Sequence, residues 1–130
     1  MNVINIAGII SATINFGMSI LHFCLLFGMP FGEYVLGGNH KVIPKTKRYV
    51  NLLLGILWII MGLIYLEKVG IIHLFYNYKT IVNVLLIAFT IFLGIATISN
   101  AFITRSSKER FVMTPLSIVV FLCSIIIISL

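Results

Sequence analysis

The sequence predicts an all-α fold, a polytopic membrane protein built as one four-helix transmembrane bundle over residues 1–130. Three observations predict it. Hydrophobic residues make up 61% of the chain, with a mean hydropathy of +1.18. Charged residues make up only 9%, against about 25% in soluble domains, too few to coat a water-facing surface. The apolar residues also fall in runs long enough for a bilayer, which takes about 20 residues of helix.

The first span covers about residues 3–27, with Asn5, Asn15 and His22 as its strongly polar interruptions. It follows an amino terminus, MNVINIAG, with no basic n-region and no small-residue cleavage signal, so a cleaved signal peptide is not expected. The second span covers about residues 49–66 and ends before Glu67, Lys68 and a capping Gly70. The third covers about 80–103 and the fourth about 111–130. Ser106-Ser107-Lys108-Glu109 fits a capping box, whereas Pro115 offers a competing start. A helix beginning at Pro115 would be only about 24 Å long, short for the hydrocarbon core. A start near Ser107 with a kink around Pro115 is therefore expected.

Four spans leave the first and third connections on one side of the membrane. Those connections hold Lys41, Lys45, Lys47, Arg48, Arg105, Lys108 and Arg110, seven basic residues against Lys68 and Lys79 on the other side. Basic residues in short loops favour the cytoplasm. The expectation is a cell-membrane protein with its first and third loops cytoplasmic and both termini outside. The net charge of +6 fits this topological role and contact with anionic lipid, so the bilayer and not nucleic acid is the expected partner. The outer connection, IIHLFYNY, is aromatic and suits the headgroup boundary, with His73 as an interfacial residue.

Cys24 and Cys123 lie inside apolar runs without a CxxC pair and read as packing residues at different depths, so no disulfide is expected. His22, His40 and His73 are scattered over different segments, so no metal constellation and no cofactor are expected.

Inside the spans, polar and small residues recur at alternating spacings of three and four. The first span has Gly8, Ala12, Asn15, Ser19 and His22; the second has Asn51, Gly55, Trp58, Gly62 and Tyr65. In the third, Asn83, Thr90, Gly94, Thr97 and Ala101 share a face. Such spacing draws one stripe along each helix. Lipid cannot satisfy an amide, so these stripes should turn inward. The fourth span has only Ser117, Ser124 and Ser129 and reads as the most lipid-exposed. The stripes have two readings: helix-packing glue, or a polar pathway or pocket lined by Asn15, His22, Asn51 and Asn83. His22 reads as the one ionisable side chain well inside a span, either hydrogen-bonded to a neighbouring helix or relaying a proton. Glu33, Glu67 and Glu109 all fall in connections. The embedded carboxylate that a small proton-coupled antiporter needs is therefore not expected.

The densest charge lies in GEYVLGGNHKVIPKTKR, residues 32–48. Phe31 and Tyr34 can anchor at the interface, and Lys45, Lys47 and Arg48 orient the chain. Gly37-Gly38 permits positive φ, where successive N–H groups can cup an anion. Asn39, His40 and Lys41 follow, so a lipid phosphate or small anion is a candidate ligand, against a plain turn with snorkelling lysines. Glu33 can instead pair with Arg105, Lys108 or Arg110 and tie the two basic connections together. Pro30-Phe31-Gly32, Gly37-Gly38, His40, Pro44 and Arg48 resemble the first loop of an uncharacterised group of short four-helix bacterial integral membrane proteins. Ser107-Lys108-Glu109-Arg110 followed by Pro115 is similar to their last connection. Phe31 stands where a tryptophan is usual in that group, and Ile43 where a leucine is usual. The resemblance implies a fold and no activity.

Three functions fit these residues. The first is a non-catalytic accessory or scaffold bundle, self-associating or pairing with another membrane protein through its polar stripe. The second is a small transporter or channel using Asn15, His22, Asn51 and Asn83. The third is an enzyme or binder acting on lipid headgroups, with Glu33 and His40 at that level; no catalytic set is assigned.

Overall fold

A computed structural model describes all residues, 1–130. It is all-helical: α1 spans Val3–Leu26, α2 Tyr49–Lys68, α3 Lys79–Ile98 and α4 Ser107–Ser129. Together with the short turns that extend α2 and α3, these give four helices long and apolar enough to cross a membrane.

Local chemistry sets the helix ends. Asn2 caps α1, its side-chain oxygen accepting from the Asn5 N–H at 2.9 Å. Two glycines in the left-handed region close α1 and α2. Gly28 (φ +88°) donates to the Leu25 carbonyl while Met29 donates to Cys24; Gly70 (φ +77°) donates to Glu67 while Ile71 donates to Leu66. Both are Schellman motifs, which satisfy carbonyls left over at a helix end. The third helix ends differently: Ser99–Ile103 widens into a π-turn, with Thr104 donating to the Ser99 carbonyl.

The expected capping box starts α4. The Ser106 hydroxyl accepts from the Glu109 N–H at 3.3 Å. Its return arm runs through Thr104, whose hydroxyl donates to the Glu109 carboxylate and accepts from the Ser106 N–H. The helix continues through Pro115 without a break.

Round the bundle, α1 packs mainly on α2 and also on α4, α4 packs on α3, and α2 and α3 touch least. The α1–α2 seam is the tightest. A Cβ at Gly62 would overlap the Phe16 ring, and at Gly8 it would come within 2.6 Å of Val69. Small residues here let the backbones approach.

Buried side chains form two clusters. The larger lies toward the end carrying the second connection and includes Met61, Ile64, Tyr65, Leu86, Phe89 and Val120. The smaller, at the basic end, joins Leu25 and Met113 to Val35 and Ile43 of the first connection. That connection is therefore not a plain turn. Three short 3-10 turns, Gly32–Tyr34, Leu36–Gly38 and Lys45–Lys47, fold it under the bundle.

One helix departs from expectation. The fourth helix is not the most exposed: Met113, Ser117, Val120, Ser124 and Ile127 form a buried stripe spaced four, three, four and three. Its polar members are serines, whose small side chains fit where α1 and α3 flank it.

Candidate functional site

The stripes of α1 and α2 turn inward and meet. Asn15 and Asn51 are 0% exposed and His22 is 3% exposed. His22 Nδ1 lies 2.9 Å from Asn51 Oδ1, and the Ser19 hydroxyl donates to the Gly55 carbonyl at 2.8 Å. With the Asn51 amide oxygen turned to the ring, His22 donates through its Nδ1–H. The Asn15 amide donates back to the Ser11 carbonyl. Asn15 Oδ1, Asn51 Nδ2 and Trp58 Nε1 are buried without a protein partner. Buried polar groups of this kind are uncommon in folded proteins and call for an explanation.

An aromatic chain leads on from His22. Its ring stacks on Trp58 at 6.5 Å, Trp58 meets Phe89 edge-on at 5.5 Å, and Phe89 meets Tyr65 at 6.2 Å. Tyr65 ends on the Ser124 hydroxyl of α4.

Asn83 does not belong to this arrangement. It is exposed near the opposite end, where its side-chain oxygen accepts from Lys68 Nζ at 2.6 Å. The inner face of α3 instead carries Val82, Leu86, Phe89, Thr90 and Leu93. Asn83 lies one position beyond Val82 and so points aside. Thr90 and Thr97 bond carbonyls of their own helix and link no neighbour.

Between the two packed clusters lies a cavity of about 280 Å³. All four helices and Tyr34, Val35 and Leu36 line it, with mostly apolar side chains. Its residues with polar side-chain atoms are few: His22, Tyr34, Trp58, Asn100, Glu109 and Ser117. The π-turn carries Asn100. Leu36, which closes part of the basic end, holds a left-handed φ of +53°, a conformation that costs a side-chain-bearing residue about 1–2 kcal/mol.

Glu109 departs from the expectation that all three glutamates fall in connections. It sits in the first turn of α4, is 7% exposed and lines the cavity. Only one of its oxygens accepts a side-chain hydrogen bond, from Thr104. The signal was present in the capping box: residue N3 of an amphipathic helix lies one turn from the cap, on the face that Met113 and Ser117 continue.

At the basic end, Gly37, Gly38 and Asn39 join Glu33, Arg105, Ser106, Ser107 and Lys108 around an open polar basin of about 330 Å³. Gly37 and Gly38 have φ of +80° and +69°. His40 and Lys41 do not line the basin; the Lys41 carbonyl instead accepts from the Gly32 N–H at 2.8 Å. Glu33 pairs with Lys108, so the two basic connections are tied as expected. The hydrogen bond from Lys108, with its charge and that of Lys41, holds the Glu33 carboxyl below its ordinary range. Ser106 adds a hydrogen bond to the Glu33 carbonyl.

The second connection is held by Glu67, whose carboxylate accepts from the N–H groups of Leu74 and Phe75. His73 there packs edge-on against Tyr76. Both cysteines are free.

Fold and site together define an all-helical membrane protein with four candidate spans and a half-open, mainly apolar cavity bounded by all four helices. Comparison of the chain with protein-family models, with curated proteins and with solved structures finds no match.

Proposed function

We propose that this chain is a non-catalytic integral membrane protein that works by holding a small, apolar-bodied molecule between its helices, as a binder or small transporter. The observation that supports this reading is the cavity of about 280 Å³ bounded by all four helices. Ligand sites are typically concave, mainly apolar and furnished with a few polar groups. His22, Trp58 and Glu109 supply those groups. The pathway first drawn through Asn15, His22, Asn51 and Asn83 gives way to a pocket that keeps His22 and gains Glu109. Self-association through the polar stripe loses ground, because that stripe is spent on packing α1 against α2.

The seven-to-two distribution of basic residues supports a cytoplasmic basic end, with both termini outside, in a bacterial cell membrane. The loop resemblance points to the same setting. Cysteine labelling at Arg105 and at His73 from the two faces of sealed cells tests this orientation. Labelling of residue 105 from outside would reverse it.

Trp58 is the single tryptophan and lines the cavity, so its emission reports occupancy. In proteoliposomes, bromobenzene should quench Trp58 saturably at low concentration. Ala96→Phe, which fills the cavity wall from α3, should abolish the saturable part. Quenching that rises only linearly with partitioning, and is the same in Ala96→Phe, would refute ligand holding.

A further inference from the structure

Glu109 is the one carboxylate or basic side chain other than His22 that the structure buries. It is 7% exposed and lines a mainly apolar cavity, yet no cation reaches it. The only ion pair is Lys108–Glu33. The adjacent Arg110 donates to the Thr104 carbonyl. His22 lies on the same cavity but directs Nδ1 to Asn51. The Thr104 hydroxyl satisfies one carboxylate oxygen, and no protein donor serves the other. That second oxygen is not shut away from solvent, so it stays open to an incoming partner. A cation there gains a charge-assisted contact that a neutral or anionic occupant does not.

The rest of the wall selects the kind of cation. Hard metal ions require six or more oxygen ligands or a near-octahedral shell, and no group of three metal-ligating side chains converges in the chain. The cavity instead offers apolar walls with Trp58 among them; the Tyr34 ring, also on the wall, already has Lys108 Nζ over it at 5.7 Å from its centroid. Aromatic faces attract diffuse organic cations, tryptophan most strongly. Resting on the ligand-holding reading above, we propose that the cavity takes a hydrophobic monovalent organic cation. Glu109 is its counter-charge, and Trp58 is its aromatic wall. Thr104 is a positioning residue that aims the carboxylate.

The test uses the full chain in nanodiscs of zwitterionic lipid, with Trp58 emission as the readout. Benzyltrimethylammonium is the probe. Neopentylbenzene, which has the same shape with carbon in place of nitrogen, is the uncharged control. The cation should bind saturably and at least tenfold more tightly than the control. Glu109→Gln keeps the Thr104 hydrogen bond; it should weaken the cation at least tenfold and leave the control unchanged. Equal binding of cation and control overturns the proposal, as does a cation affinity that Glu109→Gln does not alter. Should Glu109→Gln fail to fold, the comparison of the two probes on the unaltered chain decides alone. Saturable bromobenzene quenching without a preference for the cation sinks only the counter-charge assignment. Loss of both signals sinks the ligand-holding reading with it.

Discussion

Tyr65 and Ser124 meet across opposite corners of the bundle, and the direction of their hydrogen bond predicts an unequal pair of mutational costs. The Ser124 hydroxyl donates its one proton to the Val120 carbonyl at 2.7 Å, so Tyr65 must be the donor between the two hydroxyls. Both residues are 0% exposed. Tyr65→Phe removes the donor and leaves Ser124 bonded to Val120. The loss should lie near the average for a polar contact in a membrane interior, about 0.6 kcal/mol and at most about 1.7. Ser124→Ala instead strands a buried phenolic O–H, which costs about 1–3 kcal/mol. The double variant removes both groups and should cost less than the sum of the singles. Reversible unfolding in bicelles, followed by steric trapping, measures all three. A Tyr65→Phe cost equal to or above that of Ser124→Ala, or strict additivity, would refute this assignment of donor and acceptor.

Gly32 makes a second test, because a Cβ there would overlap the His40 carbonyl and lie 2.9 Å from the Lys41 carbonyl. Backbone cannot step aside as a side chain can, so Gly32→Ala should destabilise by about 1–3 kcal/mol. It should also raise amide exchange across residues 32–43; unchanged exchange would count against the folded-under loop. His22→Ala strips the partner from the Asn51 amide oxygen and should cost about 1–3 kcal/mol by the same bicelle assay, with His22→Asn recovering part. For Glu33, the carboxyl value is lowered in the folded chain by Lys108. The pair's stabilisation is therefore present above the ordinary carboxylate range and lost as pH falls through the lowered value. Carbon-13 NMR should find the Glu33 midpoint below that of an ordinary glutamate, and Lys108→Ala should bring it back.

The four spans were legible because hydrophobicity and helical period are local properties, readable a few residues at a time. The inward turn of Asn15, Ser19, His22, Asn51 and Gly55 followed from the same period, since hydrocarbon offers amides no partner. So did the cap at Ser106. A period fixes which residues share a face, but not which face the neighbours cover. Asn83 fell outside the core and Ser117 and Ser124 inside it because packing of α3 and α4 chose faces that composition left nearly equivalent.

What the sequence determined by itself was the class, the spans and the asymmetry of charge, all of which follow from how single segments meet water and lipid. Only the tertiary structure brought Glu109 onto the same cavity as His22 and Trp58, buried Val35 and Ile43 beneath the bundle, and left a cavity between two clusters. Those relations join residues more than a hundred positions apart, such as Ile14 and Val120. They depend on how four rigid, imperfectly matched surfaces close against one another, and no local pattern records where such surfaces fail to meet.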